Sequence, residues 1–180
     1  AIKGKKKDGN KYINEVLNRK ASLAIVGRID KKENIKKQIK VEDTLQLLTD
    51  TSRVYRKNID TQIIGITGSC GKTTLKELLG SCLNKISKTS ISPKSYNNKY
   101  GVPLSLFNIN QNNKFAVLEL GMDKKGEINY LSNIVQPNVS VITNINYAHI
   151  KNFKNIKEIA LAKSEIINNT KKGGFLVLNS

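Results

Sequence analysis

Between Gly65 and Thr74 the chain reads GITGSCGKTT. Gly68 and Gly71 permit backbone angles closed to other residues, and loops of that kind turn N–H groups inward toward an anion. Lys72 carries an ammonium on a stem long enough to reach the outer phosphates of a nucleotide. Thr73 offers a hydroxyl to magnesium, with Thr74 behind it. The apolar run QIIGI (62–66) predicts a strand before the loop, and residues 72 to about 85 predict a helix after it. The loop would then sit at a helix N-terminus, where negative charge is favoured. Gly68, Ser69, Cys70, Gly71, Lys72, Thr73 and Thr74 form the candidate nucleotide-binding set. One departure stands out: the general phosphate-loop pattern places its first glycine at position 66, which is Ile66 here. Cys70 reads as a small side chain tolerated beside phosphate.

Four further places could do chemistry. Glu119 ends the apolar run FAVLEL, where a carboxylate at the carboxyl edge of a strand could hold magnesium or merely decorate a turn. His149, the only histidine, follows another strand end in TNINYAHI and is either a metal ligand or a structural group. Lys163 falls on the inward stripe of the helical stretch 155–168. It must snorkel to solvent, find a partner such as Glu165, or be a lysine with a depressed pKa. In SYNNKYGVPL, Asn97 and Asn98 could face a ligand or cap backbone, and Gly101 and Pro103 read as the bounds of a turn.

These residues need a scaffold that brings strand ends together. Strands are expected at 22–26, 62–66, 115–120, 139–143 and 174–178. Helices are expected at 10–20, 41–57, 72–85, 126–135 and 155–168. Apolar strands alternating with helices imply an α/β fold with a mainly parallel sheet covered on both faces. The expected organisation is residues 1–40 as part of a small α/β N-terminal domain, 41–60 as a connecting helix, and 61–180 as a P-loop ATPase domain. Neither end reads as a natural terminus.

The bulk numbers narrow the class. A hydrophobic content of 38 % fits a globular chain, and no apolar run reaches the length of a membrane span. Two cysteines do not make a disulfide framework, and no secretory leader opens the chain, so a cytoplasmic protein is expected. The net charge of +17 raises the question of a nucleic-acid partner. The lysines are spread from Lys3 to Lys172 and aromatics make up only 6 %, which argues for biased residue usage instead.

Five segments together resemble the Mur ligases: GITGSCGKTTLKELL, SYNNKYGVPLSL, AVLELGMDKKGEI, VITNINYAHI and IALAKSEII. Their order and spacing carry the likeness, which extends over essentially the whole chain and covers the displaced glycine as well. The resemblance is nearest to members that join D-alanyl-D-alanine to a UDP-N-acetylmuramoyl-tripeptide in peptidoglycan synthesis. It implies an ATP-dependent amide ligase working through an acyl phosphate, with ATP phosphates at 68–74 and Lys72 at the transferring group. It implies magnesium, two ions, held by Thr73, Glu119, His149 and a carbamylated Lys163. It implies a UDP-sugar peptide facing Asn97 and Asn98, a nucleotide-sugar near the Lys3–Gly4 and Asp8–Gly9 turn, and a monomer with no membrane partner. The remainder of the central domain and a C-terminal domain would lie outside these residues, so the chain alone is expected to be inactive. The alternative is another Mur-type ligase or a folylpolyglutamate synthase. A P-loop phosphotransferase would instead carry an aspartate after an apolar strand, where Glu119 stands.

Overall fold

A computed structural model of the chain describes residues 1–4, 7–147 and 152–179. The chain divides into two compact units, Ala1–Thr51 and Ser52–Ser180.

In the first unit a 3-10 turn at Gly9–Tyr12 leads into α1 (Ile13–Asn18), so the expected helix at 10–20 starts in a tighter coil. Asp8 explains the start, because its side chain accepts from Asn10 N–H. The strand β1 (Ala24–Val26) pairs in parallel with β2 (Gln38–Lys40). β2 lies in a Lys-rich stretch that shows no periodicity in the sequence. Ile13, Ala24 and Val26 form the buried centre of this unit.

The helix α2 (Thr44–Lys57) runs from the first unit into the second. The second unit is a five-stranded, all-parallel sheet in the order β4-β5-β3-β6-β7. Its strands are β3 (Gln62–Thr67), β4 (Thr89–Ile91), β5 (Phe115–Glu119), β6 (Val139–Ile142) and β7 (Phe175–Leu178). The helices between them are α3 (Lys72–Asn84), α4 (Gly101–Phe107), α5 (Glu127–Val135) and α6 (Ile156–Ser164), the last followed by a 3-10 turn at Glu165–Asn169. The mainly parallel α/β architecture is as expected. One correction concerns Gly101 and Pro103, which open α4 rather than bound a turn. Pro103 falls in the first helical turn, where proline is tolerated, and Val102 and Leu106 bury the helix against the core.

Alternation along the strands builds two cores. Ile63, Ala116, Leu118 and Ile142 face one side, with α4, α5 and α6 above them. Ile64, Ile66, Val117 and Val141 face the other and meet Leu75, Leu79 and Leu83 of α3. Glu119 shares parity with Val117, so its carboxylate emerges on the α3 side. At the opposite edge, Arg56 fastens α2 to the sheet. Its buried guanidinium donates to Val135 O at 2.7 Å, Gln136 O at 3.1 Å, Ile59 O at 3.2 Å and Asn138 Oδ1 at 3.0 Å. Burial lowers its pKa, but a guanidinium keeps its charge. Among the described residues, no helix is long and apolar enough to cross a membrane.

Candidate active site

β3 is the centre of the sheet, with β5 on one side and β6 on the other. The chain leaves β3 toward β4 and leaves β6 toward β7, in opposite directions. A crevice opens where such connections diverge, at the carboxyl ends of the strands. The loop 68–71 and the turn after β6 meet there.

Gly68 has φ +149°, and a Cβ on it would lie 1.9 Å from Thr143 Oγ1, so any other residue there would be strained. Gly71 adopts φ +79° and starts α3 with no side-chain cap. The first N–H groups of α3 therefore have no intrahelical acceptor and point out of the helix end toward an anion. Lys72 Nζ donates to the loop carbonyls of Gly68 at 2.8 Å and Ser69 at 3.4 Å. Its ammonium is held over the mouth of the loop.

Glu119 is 2 % exposed. Its Oε2 accepts from Thr73 Oγ1 at 2.7 Å and its Oε1 from Asn97 Nδ2 at 2.8 Å. Both partners are neutral, which leaves a buried negative charge without a counter-charge among these contacts. Asn97 is fixed in turn, because its carbonyl accepts from Gly121 N–H at 2.8 Å and a Cβ at Gly121 would meet its side chain. Asn98 does different work. Its Oδ1 accepts from the N–H groups of Tyr100 and Gly101, which shapes the entry to α4.

Lys163 is also 2 % exposed. Its pKa is pushed down to about 8, first by burial and then by the nearby Lys72 ammonium. Glu165 is not its partner: both oxygens turn to the start of α5 and accept from Gly126 N–H (2.8 and 3.1 Å) and Asn129 N–H (3.0 Å). Lys163, Lys72, Gly68, Glu119, Asn97 and Asn98 line one cleft of about 790 Å³. Tyr100, Lys124, Lys125 and Tyr130 line the same cleft.

Half of the expected site residues thus line one cleft, and Thr73 joins them through its bond to Glu119. His149 lies outside the described residues. Among those described, no cluster of three or more His, Cys, Asp or Glu is present. Cys70 and Cys82 are free and exposed. Two contributors were not singled out from the sequence. Lys76, fully buried in α3, donates to Ser92 O at 2.8 Å and Lys94 O at 2.5 Å, tying the helix to the segment that leads to Asn97. Thr143 and Asn144 hold the loop. The amide-rich TNIN stretch was the signal for the second, overshadowed there by His149.

Comparison with known proteins agrees with the α/β fold. Residues 66–180 match the model of the Mur ligase middle domain. The UDP-N-acetylmuramoyl-tripeptide–D-alanyl-D-alanine ligase of Buchnera aphidicola is 37 % identical over 99 % of the chain and 39 % of its own length. The Bacillus subtilis ligase of that name is 34 % identical over 98 % and 39 %. A crystal structure of MurF from Acinetobacter baumannii superposes with TM-score 0.91 at 36 % identity, over 99 % of this chain and 39 % of that one. MurF from Thermotoga maritima, solved with ADP, gives 0.87 at 32 % identity, over 99 % and 41 %. The chain spans about two-fifths of the length of these relatives. The chain therefore belongs to the Mur ligase family, with residues 66–180 in its middle domain.

Proposed function

We propose that the protein containing this chain is an ATP-dependent ligase that joins D-alanyl-D-alanine to a UDP-N-acetylmuramoyl-tripeptide. The observation that carries this reading is the cleft that gathers Lys72, the Thr73–Glu119 pair and the buried Lys163 at the carboxyl edge of a parallel sheet. The named relatives supply the substrates, and the ADP complex of one of them supports nucleotide binding. The reading keeps residues 1–40 as the nucleotide-sugar part, 41–60 as the connector and 61–180 as the ATP part, in a cytoplasmic monomer.

The chemistry explains the residues. A carboxylate has no good leaving group until it is phosphorylated. Its attack on the γ-phosphorus breaks the bond to ADP and gives an acyl phosphate. The two reactants are both anions, and they repel strongly where water is excluded. Lys72 relieves that repulsion by leaving the loop carbonyls for the phosphate oxygens. The N–H groups at the start of α3 orient the same oxygens. The amine of the dipeptide then attacks the acyl carbon, phosphate departs and an amide remains. Asn97 and Asn98 line the same cleft and on this reading face the UDP-sugar peptide.

Glu119 and Thr73 fit magnesium: a hard oxygen pair, buried and neutral-partnered, suits an ion that takes its other ligands from phosphates and water. Bound there, the ion would neutralise charge on the phosphates. A second ion calls for His149 and an anionic Lys163. With its pKa near 8, Lys163 supplies a neutral amine near neutral pH. That amine can add to carbon dioxide and release a proton, giving a carbamate. The change converts a buried cation into an anion facing the metal site.

The test uses the full-length protein with ATP, magnesium, the UDP-linked tripeptide and D-alanyl-D-alanine. Amide product, ADP and phosphate in equal amounts are expected, and Lys72→Ala is expected to lower turnover by about a thousandfold. A phosphorylated acceptor without amide, or near-normal turnover in Lys72→Ala, refutes the reading.

A further inference from the structure

The turn after β6 is bonded to the phosphate loop more heavily than connectivity requires. Ser69 N–H donates to Asn144 O at 3.0 Å, and Cys70 N–H donates to Asn144 Oδ1 at 2.9 Å. Thr143 Oγ1 donates to Cys70 O at 2.6 Å. Ser69 Oγ donates to Asn146 O at 2.8 Å and accepts from Asn146 N–H at 2.9 Å. Thr143 N–H continues the ladder to Thr67 O at 2.9 Å.

The reason lies in the shortness of the loop. Ile66 and Thr67 are still in β3, so only residues 68–71 separate strand from helix. A loop that begins its turn at position 66 could brace itself with its own backbone. This one takes its bracing from the neighbouring strand exit.

We propose that Asn144 is a positioning residue for the phosphate loop: it holds Ser69 and Cys70 by their N–H groups, so that phosphate meets those of Gly71 to Thr74 together with Lys72. This rests on the nucleotide reading of the loop given above. An asparagine suits the task better than an aspartate. Its amide oxygen accepts the Cys70 N–H without placing a negative charge beside a triphosphate. Its backbone and side chain together order two loop residues before the nucleotide arrives, which removes that entropic cost from binding.

The test compares full-length wild type, Asn144→Ala and Asn144→Asp. Calorimetric titration with a nonhydrolysable ATP analogue and magnesium is paired with amide hydrogen exchange. Asn144→Ala is expected to bind about fivefold to tenfold more weakly, with faster exchange at Cys70 and unchanged protection along β3 and β5. Asn144→Asp keeps an acceptor of the same shape. It is expected to bind more weakly at low salt and to recover as salt is raised. Wild-type affinity in Asn144→Ala overturns the proposal, and so does a uniform loss of protection across the sheet, which would mark a merely structural residue. If wild type binds no nucleotide, the ligase reading falls, and the Cys70 exchange rate alone then decides whether Asn144 holds the loop.

Discussion

Lys163 offers a direct measurement of what burial does to the site. An ordinary lysine titrates near 10.5, and this one is pushed down to about 8 by burial and by Lys72. At pH 8 about half of the Lys163 side chains are then neutral, against about 0.3 % for a free lysine, a difference of roughly 150-fold. The same drop corresponds to about 3 kcal/mol, at about 1.4 kcal/mol per factor of ten in proton affinity. The sign follows from proton counts. Between pH 8 and 10.5 the unfolded chain still holds a proton that the native state has shed, so stability rises with pH through that window. Below pH 8 both states are protonated and the full penalty is present. The assay is pulsed amine modification of the metal-free protein in CO2-free buffer, with the Lys163 peptide quantified by mass spectrometry from pH 6 to 11. Limited reagent access lowers the height of the rate profile but leaves its midpoint in place. A midpoint near 8 is expected for wild type. Lys72→Met should move it upward, since the second cause is removed. A wild-type midpoint near 10.5, or one unmoved in Lys72→Met, refutes the electrostatic account of the cleft.

Gly68→Ala should strain the loop, since the new Cβ meets Thr143 Oγ1 at 1.9 Å with φ at +149°. About 1–3 kcal/mol of strain predicts nucleotide affinity lowered about tenfold or more, partly recovered in Gly68→Ala/Thr143→Ala. Calorimetry checks it, and unchanged affinity in the single variant counts against the geometry. Arg56→Met leaves the carbonyls of Val135 and Gln136 without their buried donor. It should cost about 3 kcal/mol of stability, read as a lower unfolding midpoint in denaturant. Nucleotide affinity should persist in the surviving native protein, because Arg56 works at the far edge of the sheet.

The chemistry-bearing stretches were legible because they combine a local pattern with a local cause. The centre of QIIGIT, residues 63–66, is free of polar side chains since β3 is covered on both faces, and GSCGKTT needs glycines wherever the chain turns into α3. The long helices showed their apolar stripes. The strands TSI and QIK were invisible, because three residues carry no periodicity and are strands only through their neighbours. Gly101 and Pro103 signalled a turn, but packing of Val102 and Leu106 overrode that local preference.

Residue order alone determined the glycine loop, the parallel α/β class and the list of groups that could do chemistry, since each depends on spacing along one segment. Tertiary structure decided which of them meet. It put Glu119 on the α3 face beside Thr73 and Asn97, sent Glu165 to the start of α5 instead of to Lys163, and laid Asn144 across Ser69 and Cys70. Strand parity, helix crossing and the divergence of connections at β3 and β6 set those meetings, and they act between residues far apart in the chain.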